Sequence, residues 1–299
     1  MKVMLVGGFG FIGRRFIKKY SRKYKIIVFG KKSSYQNFLK KNKYPNISFE
    51  IGDVTKNIEK SITKHKPDVV IHMAALTGIS KCEHDPKKAF LVNVLGTYNV
   101  IKGCLKSNSK LIFISSREVY GDTKTKKVKE DDPLSPQNVY GVTKMLGENL
   151  IKLANEMHGM PFTILRITNV YGPEGDNYGP QVIIKNALKG KINVFGGTQM
   201  INFVYVDDVV KIISNTIQHK LSNNHVFNVG SPNTIKLKEF VDLVLHQIKN
   251  NVKVKNEKIP KTKYLDVTPD FKKLQDSPLK TTFKNIKSGI FETIEWYSN

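Results

Sequence analysis

Lys2-Val3-Met4-Leu5-Val6-Gly7-Gly8-Phe9-Gly10-Phe11-Ile12-Gly13 opens with a short apolar run that breaks into glycines. A run of this length without polar alternation reads as a strand buried on both faces. Glycines recur at three-residue spacing at Gly7, Gly10 and Gly13, and the amphipathic stretch Phe11–Tyr20 follows. Strand, glycine turn and helix in this order form the start of a dinucleotide-binding βαβ unit. The first glycine permits the tight turn, the second lets backbone approach a pyrophosphate, and the third lets helix and strand pack closely. The phosphates would face the helix N-terminus, at Phe11, Ile12 and Gly13.

Outward from this turn the rhythm continues. Strands are expected at Lys25–Phe29, Ile47–Ile51, Val69–His72, Leu111–Ser115 and Phe162–Arg166, after the first at Lys2–Val6. Helices are expected at Ile58–Lys64, Pro86–Lys106 and Val139–His158. Strands alternating with helices predict a parallel sheet with right-handed crossovers. After Thr168 the rhythm loosens into a Gly-, Pro- and Asn-rich loop, Tyr171–Pro180, before a helix at Gln181–Lys189. A strand–helix pair, Phe203–Val206 and Asp207–Gln218, and helices near Lys238–Lys249 and Phe283–Tyr297 complete the chain. The expected architecture is α/β: a Rossmann-type doubly wound parallel sheet with a smaller C-terminal substrate-binding α/β cap. Residues 1–168 form the nucleotide-binding domain, 203–230 return to it, and 169–299 are mainly cap.

Composition narrows the function. The chain has 299 residues, 40% hydrophobic, which suits a globular enzyme. No apolar window is long enough to span a membrane, and the N-terminal apolar run is too short for a signal peptide. Cys82 and Cys104 have no metal-ligand spacing, so cytosolic thiols and a cytoplasmic protein are expected. The net charge of +24 raises nucleic acid as a partner. The lysines are scattered along the whole chain, without a basic arm or zinc-finger spacing, and nucleic acid is not expected. The positive field instead favours an anionic small molecule.

Three further stretches carry chemistry. The second strand ends Phe29-Gly30-Lys31-Lys32, where a carboxylate for the adenosine ribose is usual. Gly30 leaves room for a 2′-phosphate and Lys31 and Lys32 can pair with it, which favours NADP over NAD. Asp53, in Gly52-Asp53-Val54, is placed either to bond the adenine or to make a turn. Tyr140 and Lys144 stand at i and i+4 and project from one helix face. A fixed cation beside a phenol favours the phenolate, as proton abstraction from an alcohol requires. Ser116, at the end of Leu111–Ser116, can donate to an oxygen that becomes a carbonyl.

With Val70-Ile71-His72-Met73-Ala74-Ala75, Asn93-Val94-Leu95-Gly96-Thr97, Ser116 before Tyr120-Gly121, Leu165-Arg166, Asn169 to Pro173 and Val204 to Val209, the chain resembles the extended short-chain dehydrogenase/reductase superfamily, in its nucleotide-sugar epimerase/dehydratase branch. The resemblance covers essentially the whole chain. It implies a triad of Ser116, Tyr140 and Lys144, with Tyr140 as acid/base at a sugar hydroxyl. It further implies that Lys144 holds the nicotinamide ribose, that Ala74, Ala75 and Asn93 belong to the cofactor site, and that Asn169 contacts the substrate. Arg166 and Asp207 read as structural ion-pair partners, and His72 as a strand residue beside the cofactor. No metal site is expected.

The chain departs from this branch in three places. Ser116-Arg117-Glu118 replaces the dehydratases' Thr-Asp-Glu, leaving Glu118 to face the sugar. Ile201-Asn202-Phe203 replaces Arg-Asp-Phe, whose arginine clamps the diphosphate, so Lys185, Lys261 or Lys263 must substitute. Gly179 or Pro180 stands where epimerases often have Asn-Leu. The expected activity is that of a nucleotide-sugar epimerase resembling UDP-glucose 4-epimerase. The alternatives are an NADPH-dependent ketosugar reductase, a 4,6-dehydratase, or a nucleotide-sensing scaffold. Apolar residues on the two long helices, Phe90, Val94, Tyr98 and Ile101 on one and Leu146, Leu150 and Leu153 on the other, exceed what one sheet face needs. In the branch such helices pair across a two-fold axis, which implies a homodimer.

Overall fold

Val3 to Val6 do form a central strand, and every long strand expected from the sequence joins it. The computed structural model describes residues 1–32, 47–123, 127–175, 179–248, 251–258 and 267–298. The strands are β1 (Lys2–Val6), β2 (Lys25–Gly30), β3 (Ile47–Ile51), β4 (Val69–His72), β5 (Lys110–Ser116), β6 (Lys127–Val128), β7 (Phe162–Ile167), β8 (Asn169–Tyr171), β9 (Lys191–Phe195), β10 (Met200–Tyr205), β11 (His225–Val229), β12 (Thr234–Lys236), β13 (Lys253–Glu257) and β14 (Thr268–Pro269). Seven of them form a parallel sheet in the order β11-β7-β5-β4-β1-β2-β3. The order reverses between β1 and β4, which opens a crevice at their carboxyl ends.

The helices are α1 (Phe11–Tyr20), α2 (Ile58–His65), α3 (Ile79–His84), α4 (Pro86–Phe90), α5 (Gly96–Ser107), α6 (Val139–His158), α7 (Pro180–Leu188), α8 (Val206–Gln218), α9 (Leu237–Gln247), α10 (Lys272–Gln275) and α11 (Ile286–Ser298). Because side chains alternate along a strand, the sheet buries two separate cores. Val3, Leu5, Val28 and Ile112 meet Phe16 and Ile17 of α1 and Val209, Ile212 and Ile213 of α8 on one face. Met4, Val6, Phe29 and Leu111 meet Ile62 of α2, Val100 and Cys104 of α5 and Ile151 of α6 on the other. A third core gathers Ile184, Val194, Phe203, Phe240, Val244 and Ile290 from the C-terminal third. Phe203 and Phe240 stack there with ring centroids 4.2 Å apart. The segment α8–β11 returns to the large sheet, while β10 pairs with β8 and β12 in a smaller one.

The expected helix Pro86–Lys106 is not uniform. Between α4 and α5, Leu91–Leu95 winds as one π turn, and the Gly96 N–H reaches back five residues to the Leu91 carbonyl. This turn frames Asn93, which is buried. Its side chain accepts from Leu76 N–H at 2.7 Å, donates to the Leu76 carbonyl at 3.2 Å, and donates to Thr143 Oγ1 of α6 at 2.9 Å. A π turn rotates the residues after it relative to a regular helix. Ile101, which follows the turn, lies in the sheet's own core, and Leu150 on α6 packs against that core, contrary to the outward faces expected of them. Phe90, Leu91, Leu95, Tyr98, Leu153 and Met157 are the exposed apolar residues of this face.

Candidate active site

The crevice at the sheet's reversal is a cleft of about 590 Å³, running from Gly10, Gly30 and Lys31 at one end to Tyr140, Asn169 and Gln181 at the other. Gly7 has φ +82°, and a Cβ on it would stand 2.6 Å from the Ala74 backbone, so β1 and the strand-β4 exit can approach only with glycine here. Helix α1 begins without a side-chain cap and without an acidic residue in its first turn, which leaves the N-terminal end of its dipole for an anion. Gly10, Phe11, Ile12 and Gly13 line that end, and Val54, Ala74 and Ala75 line the wall beside it. An elongated cleft with an uncapped helix N-terminus at its floor fits a dinucleotide.

The adenosine end differs from expectation. Gly30 is required by its neighbour: a Cβ would lie 2.6 Å from the Phe9 ring. Lys31 lines the cleft, but its ammonium is 3.3 Å from Asp53 Oδ2. Asp53 Oδ1 accepts from the backbone N–H and hydroxyl of Thr55, so this residue is a turn former as well as the partner of Lys31. Neither Lys32 nor Asp53 is on the cleft wall. Asn93 is also behind the wall, where it holds Leu76 in place.

At the other end α6 delivers the phenol and ammonium. Asn138 caps the helix through Gly141 N–H at 2.8 Å, and Gly159, at φ +68°, ends it. Tyr140, Lys144 and Glu148 follow at four-residue spacing along one inward face. The Lys144 ammonium donates to the Ile114 carbonyl at 2.7 Å and lies 5.9 Å from the centre of the Tyr140 ring. Ser116 lies on the same wall and hydrogen-bonds the phenol. The expectation that Lys144 holds the Tyr140 pKa low does not hold in this site. Burial first, then the charges of Glu118 and Cys82, push the phenol above its ordinary value, against the Ser116 hydrogen bond. Burial brings Lys144 down to about 8, against the charges of Glu148 and Cys82. The ammonium is turned toward the Ile114 carbonyl.

Behind this wall is a sealed polar cluster. Arg166, 1% exposed, pairs with Glu148 at 2.7 Å and donates from Nη1 to Tyr120 Oη and the Glu130 carbonyl. Ser115 donates to Glu148 at 2.5 Å, and Tyr120 to Asn228 at 2.7 Å. Asp207 pairs with Arg15 and with Lys19, joining α8 to α1. Both residues are ion-pair partners, as the sequence suggested. His72 bonds Thr97 at 2.9 Å, and burial, reinforced by Lys144, brings it down to about 3. No group of metal-ligating side chains occurs among the described residues.

The substrate contacts expected from the sequence fare unevenly. Asn169 lines the cleft and donates to the Asn202 carbonyl at 3.0 Å. Glu118 is not on the wall: its carboxylate accepts from Asn138 at 3.0 Å and faces Arg117. Lys185 also lies off the wall, donating to the Gly175 carbonyl at 3.1 Å over the Tyr297 ring. Lys261 and Lys263 fall outside the described residues. Ile201 is buried in the third core and Asn202 grips the loop at Ser231 and Asn233. Sequence reasoning missed Gln181 and Lys88, both on the cleft wall. Gln181 sits one residue past the Gly179-Pro180 that was singled out, whereas Lys88 is one lysine among many.

A sequence profile of the NAD dependent epimerase/dehydratase family matches residues 3–230. The chain belongs to this family. It is 30% identical over 255 residues to a UDP-glucose 4-epimerase of Lactobacillus helveticus, covering 77% of each chain. It is 29% identical to a UDP-N-acetyl-alpha-D-glucosaminuronate decarboxylase of Bacillus cytotoxicus, over 99% of this chain and 97% of that one. The fold is that of the UDP-glucuronic acid 4-epimerase of Bacillus cereus, solved with UDP-glucuronic acid and NAD, at a TM-score of 0.89 and 22% identity over 100% and 99% of the two chains. The epimerase/dehydratase family thus accounts for the parallel sheet. No helix among the described residues is long and apolar enough to cross a membrane.

Proposed function

We propose that this protein is a nucleotide-sugar epimerase that inverts a sugar carbon by transient oxidation of its hydroxyl, in the manner of a UDP-glucose 4-epimerase. The observation that carries the reading is the convergence of Ser116, Tyr140 and Lys144 on one cleft with the Gly7–Gly13 turn. When bound, oxidised nicotinamide dinucleotide supplies a hydride acceptor and a positive charge. Tyr140 takes the proton of the sugar hydroxyl and returns it, with Ser116 fixing the oxygen that passes through the carbonyl state. Lys144 holds the nicotinamide ribose, and Asn169 and Gln181 face the sugar nucleotide.

Glu118, tied to Asn138 and Arg117, is poorly placed as the acid a 4,6-dehydratase needs. A ketosugar reductase would use the same residues, but Lys31, the cation that would favour NADPH, is paired with Asp53. The test is incubation with UDP-glucose and cofactor, followed by chromatography of the sugar nucleotide. An epimerase equilibrates the C4 epimers without net cofactor consumption. Stoichiometric oxidation of NADPH by a 4-keto sugar, with no epimerisation, would replace this reading by the reductase. A catalytically silent protein that still binds the nucleotide would point to a sensor.

The exposed Phe90, Leu91, Leu95, Tyr98, Leu153 and Met157 support a homodimer through α4–α6. Sedimentation at physiological salt is expected to give twice the chain mass, and a monomer at micromolar concentration would remove this assembly.

A further inference from the structure

Ser116 and Tyr140 both line the cleft, yet they belong to different elements, one ending β5 and the other opening α6. Two side chains that are not on the wall join those elements. Asn138 and Glu118 are each 8% exposed and stand 20 positions apart in sequence. Asn138 Nδ2 donates to Glu118 Oε2 at 3.0 Å, while Asn138 Oδ1 accepts from the Gly141 N–H at 2.8 Å. One amide thus caps α6 and grips the turn that follows β5. On that turn the Glu118 N–H donates to Ser116 Oγ at 3.2 Å. The two elements meet so closely that a Cβ on Gly141 would lie 2.4 Å from the Glu118 carbonyl oxygen. Glu118 comes two residues after Ser116 and Asn138 two before Tyr140, so their bond is a short strut between the two reacting side chains.

Capping alone does not account for asparagine here. A cap needs only an acceptor, and Ser or Asp would supply it equally well. What Asn138 adds is a donor, and it is spent on a carboxylate that does not reach the cleft wall. Proton transfer requires Ser116 and Tyr140 to meet one sugar oxygen at hydrogen-bond distance, and a misplacement of about 1 Å costs on the order of a hundredfold in rate. We infer that Asn138 is a positioning residue that, through Glu118, sets the separation of Ser116 and Tyr140. Glu118 is the anchor of this strut and moves no proton itself. The inference rests on the nucleotide-sugar reading above, in that Ser116 and Tyr140 are its reacting pair.

The experiment is steady-state kinetics of the full chain on Asn138→Ser, Glu118→Ala and the double variant. The substrate is UDP-glucose with NAD, or a 4-keto sugar nucleotide with NADPH if that is the reaction the wild type performs. Asn138→Ser keeps the cap and loses the donor, so its thermal unfolding midpoint should stay near that of the wild type. Its kcat should fall at least about tenfold with KM within about threefold. Glu118→Ala should lower kcat to a similar extent, and Glu118→Gln, which keeps an acceptor, should restore most of it. The double variant should be no slower than the worse single one, because both remove the same bond. A wild-type kcat in Asn138→Ser overturns the inference and leaves Asn138 as a cap alone. Losses that multiply in the double variant overturn it too. So does a Glu118→Gln variant as slow as Glu118→Ala, which would mark the carboxylate as a proton carrier. A wild type that performs neither reaction overturns the nucleotide-sugar reading itself, and this inference with it.

Discussion

The polar cluster behind Ser115 and the one in front of Ser116 are built from the same pair, an arginine and a glutamate, and finish differently. In the rear cluster Arg166 has donors on Glu148, Tyr120 and the Glu130 carbonyl, and Glu148 also takes Ser115. In the front cluster Arg117 meets Glu118 only loosely and keeps Nη1 unpaired. Two adjacent serines therefore mark a boundary. On one side every donor is spent on holding β5, β7 and α6 in register. On the other, bonding capacity is left over. A buried pair that is fully bonded ties the scaffold together, and one that is not holds it less firmly.

The comparison breaks most visibly through stability. Glu148→Gln or Arg166→Met leaves a sealed charge without its partner and is expected to cost about 3–5 kcal/mol in urea unfolding. Glu118→Gln, which weakens a longer pair and keeps an acceptor for Asn138, should cost less than either. Similar losses from both would erase the distinction between the clusters. Tyr140→Phe sits at the boundary and separates chemistry from scaffold. Turnover is expected to fall at least about a hundredfold, with the unfolding midpoint nearly unchanged. Retained turnover would remove Tyr140 from the mechanism.

A pH experiment sharpens the same contrast at Lys144, whose charge Glu148 supports from the rear. Burial lowers the folded value to about 8, while the unfolded chain titrates near 10.4. Between those values the unfolded state binds the extra proton, so this residue makes stability rise with pH in the cofactor-free protein. Wild type should gain on the order of 2 kcal/mol relative to Lys144→Met between pH 7.5 and about 10.5. A difference independent of pH would mean that Lys144 is not held in a desolvated site. The smallest effect lies at the adenosine end. Lys31→Gln should shift the NADP/NAD affinity ratio toward NAD and Asp53→Asn toward NADP, each by a few-fold, on the scale of exposed ion pairs. Unchanged ratios would return both residues to the solvated surface.

The sequence was most readable where one local rule decides. Val3–Val6 with Gly7, Gly10 and Gly13 specified strand, turn and helix, and the other apolar runs fell into the same sheet. Tyr140 and Lys144 were legible because helical spacing alone puts them on one face. What was not legible depends on partners distant in sequence. Lys31 looked like a phosphate ligand until Asp53, from the next strand's end, was placed beside it. Glu118 looked like a sugar contact until Asn138 was found holding it. The short strands β6 and β14 pair across 141 positions, Lys127 with Thr268, and carry no periodicity to announce them. The unpaired corner of Arg117 could not be foreseen either, since a sequence names donors but does not count their bonds.

The π turn at Leu91–Leu95 gives the protein an uneven tolerance to change. Removing one residue there would restore regular winding and swing everything before it by about 100° relative to α5. Asn93 would then leave both Leu76 and Thr143. A substitution on the exposed side of the same turn, at Leu91 or Leu95, leaves the buried bonds of Asn93 in place. This helix should therefore tolerate exchange of its outward side chains far better than a change in its length, because losing a single residue would release the Leu76 segment and α6 together.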